Sequence, residues 1–62
     1  MTYQPGDRVA LVYTDDAYTH LQPGDEGTVS SYNEQLQQLE VDWDSGSKLS
    51  MWFGDGDRVR KL

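Results

Sequence analysis

The chain has 62 residues, with eleven acidic and five basic side chains and a net charge of −6. That length allows one domain, residues 1–62, with a small core, and the acid surplus makes a surface that repels phosphate, which argues against direct nucleic-acid binding. The absence of Cys removes disulfides and thiolate chemistry, and no apolar run approaches the roughly 20 residues of a membrane span, so the expectation is a soluble, unprocessed, cytoplasmic protein with no membrane partner.

In chain order, Met1 to Pro5 is a lead-in whose Tyr3 is expected to fold back on the core. Gln4-Pro5-Gly6-Asp7 reads as a type II turn, with Pro presetting φ at the second position and Gly accepting positive φ at the third. The same tetrapeptide returns as Gln22-Pro23-Gly24-Asp25, and Gly6-Asp7-Arg8-Val9 recurs as Gly56-Asp57-Arg58-Val59. The spacings differ, so this is repeated turn chemistry and not a solenoid period.

A first strand over Asp7 to Tyr13 is expected to bury Val9 and Leu11 and to show Ala10 and Val12 on its other face. A loop of about ten residues follows, Thr14 to Gly24, long enough in so small a domain to suggest function or packing by its own side chains. The second strand runs from Gly27 to Tyr32, with Val29 inward and Thr28, Ser30 and Tyr32 outward, and Asn33-Glu34-Gln35 turns the chain. Leu36 and Leu39 stand at helical spacing, but one turn of helix does not stand alone.

The stretch Leu39 to Phe53 reads as a β-hairpin around which the rest is organised. Leu39, Val41 and Trp43 share one face of its first strand, and Leu49, Met51 and Phe53 share one face of the second. Asp44-Ser45-Gly46-Ser47 supplies the turn. The alternation then directs Trp52 outward. Gly54-Asp55-Gly56-Asp57 makes a tight connection read as one turn of 3₁₀ helix, and a last strand, Arg58 to Lys61, buries Val59 while Leu62 caps the end of the barrel.

Five short strands, one long first loop and a near-helical step before the last strand predict an all-β fold, a small five-stranded SH3-like barrel. Gly6-Asp7-Arg8-Val9-Ala10-Leu11, Asp15-Asp16-Ala17-Tyr18-Thr19, Pro23-Gly24-Asp25-Glu26-Gly27-Thr28-Val29 and Val41-Asp42-Trp43-Asp44-Ser45-Gly46-Ser47 with Leu49 resemble a family of short bacterial and phage proteins known only as a domain of unknown function. The Gly-Thr-Val and Val-x-Trp-Asp-x-Gly elements are also similar to barrels of the Mind bomb/Herc2 and KOW types and to small SH3-like electron-transport accessory subunits. Met51-Trp52-Phe53 departs from the closest pattern, which has smaller aliphatic residues there. The resemblance implies the fold and an origin in phage or mobile elements, and it leaves the activity open.

Catalysis is not expected. His20 is the one imidazole, and the serines lie on strands or in the hairpin turn without the strained elbow of a nucleophile. Asp15-Asp16, Asp42/Asp44 and Asp55/Asp57 are paired carboxylates, but a barrel this small lacks the deep cleft a two-carboxylate mechanism needs. The Asp42 to Gly46 and Asp55 to Asp57 segments loosely match calcium-loop spacing, without the flanking helices or bidentate Glu of such a loop. No metal or other cofactor is therefore expected.

The functional candidates are exposed aromatics among carboxylates: Tyr13, Asp15, Asp16, Tyr18, Asp42 and Trp52. Such a surface suits a basic or Pro-containing partner through cation–π contacts, polyproline packing and charge pairing. The first expectation is a non-enzymatic protein–protein interaction module that docks a basic partner. Two alternatives are an acidic inhibitor whose carboxylates mimic nucleic acid and a structural subunit using Ala10 and Val12 as an apolar seam. Three of the five bases, Arg58, Arg60 and Lys61, lie in the last five residues, and pairing of the last strand with the first is expected to bring Arg58 and Arg60, which share one outward face, near Arg8 as one basic stripe. The stripe could meet the acidic face of a second copy head to tail, but internal compensation by Asp7 or Asp57 is favoured and predicts a monomer.

Overall fold

Both Gln-Pro-Gly-Asp segments fold as turns in the computed structural model, which describes residues 3–15 and 20–62. The Asp7 amide donates to the Gln4 carbonyl at 3.0 Å while the Gln4 amide donates to Asp7 Oδ2 at 2.9 Å. The Gln22/Asp25 pair repeats this at 3.0 Å for both bonds. Each turn has its Gly at positive φ, 95° for Gly6 and 97° for Gly24, which a side chain would strain. The chain then enters β1 (Arg8–Tyr13) from the first turn and β2 (Glu26–Asn33) from the second.

Three further strands complete the fold: β3 (Gln38–Trp43), β4 (Met51–Trp52) and β5 (Arg58–Lys61), with a 3₁₀ turn at Phe53–Asp55. All are antiparallel in one sheet of order β4-β3-β2-β1-β5. The all-β expectation stands, and β5 pairs with β1 as expected. The sheet is not closed into a barrel, because β4 and β5 end it and no ladder joins them among the described residues.

The second arm of the expected hairpin accounts for part of that difference. Its turn is where the sequence puts it, with the Gly46 amide donating to the Trp43 carbonyl at 2.9 Å and Gly46 at φ 96°. Beyond it, however, the Leu49 carbonyl accepts from the Trp43 indole Nε1 at 2.9 Å, and the Leu49 amide donates to Ser47 Oγ at 3.3 Å. Side chains thus satisfy Leu49 where a ladder was expected. Pairing with β3 begins only at Met51 and stops at Trp52, leaving too little strand to close the sheet.

Two bulges decide which way side chains face. In β2 the register slips between Val29, opposite Val41, and Ser31, opposite Glu40. The extra residue reverses the alternation, so Tyr32 stands across from Leu39 and packs against the core instead of facing outward. In β1 the register slips between Leu11 and Tyr13, so Tyr13 stands across from Arg58 and is exposed.

The core comprises Val9, Leu11, Leu21, Val29, Leu39, Val41, Trp43 and Met51, with Tyr3, Tyr32, Leu49, Phe53 and Val59 packed against it. Leu21 is an addition that the strand pattern did not disclose; it comes from the long loop, whose returning end is tied to β1 by the Gly24 amide on the Leu11 carbonyl at 2.8 Å and the Leu11 amide on the Asp25 carbonyl at 2.7 Å. Ala10 is fully buried, contrary to expectation. It stands between Glu26 and Arg60 in the ladders, long side chains on either side of a methyl. The apolar seam of Ala10 and Val12 therefore does not exist as a surface. Leu62 is exposed and does not cap the core. Gly27 is required by proximity: a Cβ there would lie 2.6 Å from Val41 Cγ1 and 2.9 Å from the Asp42 carbonyl oxygen.

Candidate functional site

Because Met51 points into the core, the next residue on the strand, Trp52, points out, and the residue is 39% exposed. It lines an open groove of about 520 Å³ with Thr14 and Asp15, just beyond β1, Lys48, Leu49 and Ser50 from the arm before β4, and Asp55 and Asp57 from the 3₁₀ turn and its exit. Of the residues expected to act together, the structure brings Asp15 and Trp52 into this groove. Asp16 and Tyr18 lie outside the described residues.

The carboxylates of the groove are not equivalent. Asp57 is 5% exposed and its Oδ2 accepts from the Trp52 amide at 2.9 Å, while the Asp57 amide donates to the Trp52 carbonyl at 3.3 Å. That reciprocal pair fixes the backbone under the indole. Asp15 and Asp55 are exposed and face solvent. Asp57 thus holds the platform, and the other two supply the accessible negative charge.

Asp42 occupies an adjoining depression with Ser30, Glu40, Val41, Lys48 and Ser50. The register explains why: Trp52 stands across from Gln38, four residues back along β3 from Asp42. The Lys48 ammonium bonds Asp42 Oδ1 at 2.7 Å. Tyr13 does not line the groove.

A second cleft, of about 360 Å³, escaped the sequence reading. It is lined by Tyr3, Tyr32, Gln37, Phe53, Arg58 and Val59, and so lies between the chain leaving β4 and β5 itself. Its rings contact one another: Tyr3 and Tyr32 meet edge to face at 5.3 Å, Tyr3 and Phe53 at 5.7 Å, and Tyr32 and Phe53 at 6.2 Å between centroids. The Phe53 amide donates to the Gln37 carbonyl at 3.0 Å, which ties the β2–β3 turn to the 3₁₀ turn. Burial, helped by the neighbouring Tyr32, raises the Tyr3 phenol above its ordinary pKa, with the Lys61 ammonium, 5.7 Å from the ring centroid, acting in the opposite sense. Only the bulge in β2 turns Tyr32 to this side, and a strict period of two conceals it.

The expected basic stripe is divided. The Arg8 guanidinium turns across β2 to Asp44, with Nη2 to Oδ2 at 2.6 Å and Nη1 to Oδ1 at 2.8 Å, and adds Thr28 Oγ1 at 2.9 Å and Glu26 Oε1 at 3.3 Å. This two-pronged bond to Asp44 holds the Arg8 pKa above and the Asp44 pKa below the ordinary values. Lys61 pairs with Asp7 at 3.2 Å. The Asp7 pKa is lowered, first by the Gln4 amide and then by Lys61. Arg58 instead donates to carbonyls, those of Asp57 at 2.9 Å and Phe53 at 3.4 Å.

His20 is exposed, and among the described residues no group of three or more His, Asp or Glu side chains is arranged to hold a metal ion. Comparisons with curated proteins and with solved structures give no match. A family model described as a domain of unknown function, DUF4314, matches residues 1–62, and the chain belongs to that family.

Proposed function

We propose that the chain is a small, non-enzymatic docking module of SH3-like type whose Trp52 groove takes a basic segment of another protein. The observation that carries this reading is the exposed indole flanked by Asp15 and Asp55 in one groove. A Lys or Arg laid over the Trp52 face gains a cation–π contact, and the flanking carboxylates offer it charge-assisted hydrogen bonds. The strand order, the long connection between β1 and β2 and the 3₁₀ turn before β5 support the SH3-like reading. The module acts as a monomer, its excess negative charge opposing contact between copies.

The test is titration of the protein with Lys/Arg-rich peptides, with and without Pro, followed by amide chemical shifts and by indole fluorescence. Shifts centred on Asp15, Trp52 and Asp55 are expected, with Trp52→Ala weakening binding by about tenfold or more. Mimicry of nucleic acid would show the opposite pattern, with affinity for a nucleic-acid-binding enzyme that survives Trp52→Ala and collapses with added salt. That pattern would overturn the proposal.

A further inference from the structure

The cleft between Phe53 and β5 differs from the Trp52 groove in the sign of its charge. Tyr3, Tyr32, Phe53 and Val59 supply apolar walls, and Arg58 supplies the one ionised side chain among the lining residues. Among the described residues no carboxylate forms an ion pair with Arg58, whose contacts are the two backbone carbonyls. A guanidinium presents five N–H donors in a planar fork matched to a carboxylate. Here carbonyls hold the fork in place without neutralising it. Arg60, two residues on along β5, adds positive charge to the same strand.

We propose that this cleft is a second docking site, specific for a peptide segment in which a bulky apolar side chain stands next to, or next but one to, an Asp or Glu. The apolar side chain packs against the Tyr3, Tyr32 and Phe53 rings that line the cleft, and the carboxylate accepts from Arg58. Charge selects this occupant over a basic one. The rest of the surface is strongly acidic and would repel the same peptide, so Arg58 and Arg60 confine it to this cleft. Aromatic walls add affinity for a ring through edge-to-face contacts like those already made within the cleft. With the Trp52 groove, the chain presents two sites of opposite charge preference, the arrangement of a small adaptor. The inference does not rest on the function proposed for Trp52.

The probes are acetyl- and amide-capped hexapeptides carrying one Phe, Trp or Leu with an Asp or Glu one or two positions away, so that side chains supply the only carboxylates. Amide shifts of the isotope-labelled protein are expected to move at Tyr32, Gln37, Phe53, Arg58 and Val59. Arg58→Gln is expected to weaken binding by about tenfold or more, as loss of a charge-assisted bond does, while Trp52→Ala leaves it unchanged. Arg58→Lys should recover part of the affinity, and the urea midpoint of each variant shows that it is folded. The proposal is overturned if no peptide of the panel binds at millimolar concentration, if Asn or Gln in place of the acid binds as tightly, or if the shifts map to the Trp52 groove. Self-association that fills the cleft with a second copy, seen by sedimentation with shifts at the same residues and no peptide present, would also overturn it.

Discussion

Gly6-Asp7-Arg8-Val9 and Gly56-Asp57-Arg58-Val59 are the same four residues, and they begin strands that lie side by side, β1 and β5. Their backbones agree in two respects. Each Gly is at positive φ, 95° and 102°, and each Arg opens its strand. Their side chains do not agree. Val9 is fully buried between two neighbouring strands, whereas Val59 is half-buried on a strand that ends the sheet. Both carboxylates accept from a backbone amide, Asp7 from Gln4 and Asp57 from Trp52, but Asp57 is buried, whereas Asp7 is more open and also pairs with Lys61. Arg8 is clamped by Asp44 and Glu26, and Arg58 meets only carbonyls. Local sequence sets the turn, and position in the sheet sets what the side chains do.

Truncating the two valines breaks the equivalence most strongly. Val9→Ala removes methyls from a filled core and is expected to cost about 2–3 kcal/mol in urea unfolding. Val59→Ala should cost clearly less, and equal losses would mean that β5 is as enclosed as β1. The two acids come next. Asp57→Ala leaves the Trp52 amide without its acceptor and is expected to cost about 1–2 kcal/mol, whereas Asp7→Ala should cost less because the Asp7 carboxylate is more accessible to water. The same Asp57 change should loosen the indole platform, so basic-peptide affinity and stability fall together.

That contrast also marks how far a sequence can be read. The turns were legible because Pro fixes φ and Gly accepts a positive φ within four residues, and Leu39, Val41, Trp43 and Met51 were legible because a regular strand alternates. Tyr32 and Ala10 were not. A bulge shifts Tyr32 by one place, and only the pairing across the sheet reveals it. Burial of Ala10 depends on β2 and β5 arriving on its two sides. For the same reason Trp52 and Asp15 could be matched in advance, whereas the Tyr3, Tyr32, Phe53 and Arg58 cleft could not, its members being drawn from the lead-in, β2, the 3₁₀ turn and β5. Closure of the sheet was misjudged because Leu49 looks like a strand residue until the Trp43 indole takes its carbonyl.

The arginines give a smaller effect with a definite sign. Arg8→Gln should lower the urea midpoint modestly, since exposed ion pairs contribute little, and Arg58→Gln should leave it nearly unchanged because no described carboxylate depends on it. In high salt the difference between the two variants should shrink, as screening weakens the bonds of Arg8 first.

The smallest effect is the most diagnostic, because it is read in the shape of a pH profile. The Asp44 carboxyl is held below its ordinary 3.8 by the Arg8 guanidinium. A group whose pKa is lower folded than unfolded adds stability that is fully present above the unfolded value and is lost as pH falls through the folded one. Stability should therefore decline on acidification from about pH 4 downward, partly through Asp44 and partly through Asp7, which the Gln4 amide and Lys61 hold low in the same way. Asp44→Asn should make that limb shallower, and so should Arg8→Gln, which returns Asp44 toward its ordinary value. Arg58→Gln should leave the limb as steep as in the parent protein. If Arg58→Gln flattens it as much as Arg8→Gln does, then Arg58 has a carboxylate partner in solution, and the two Gly-Asp-Arg-Val segments are electrostatically more alike than their geometry implies.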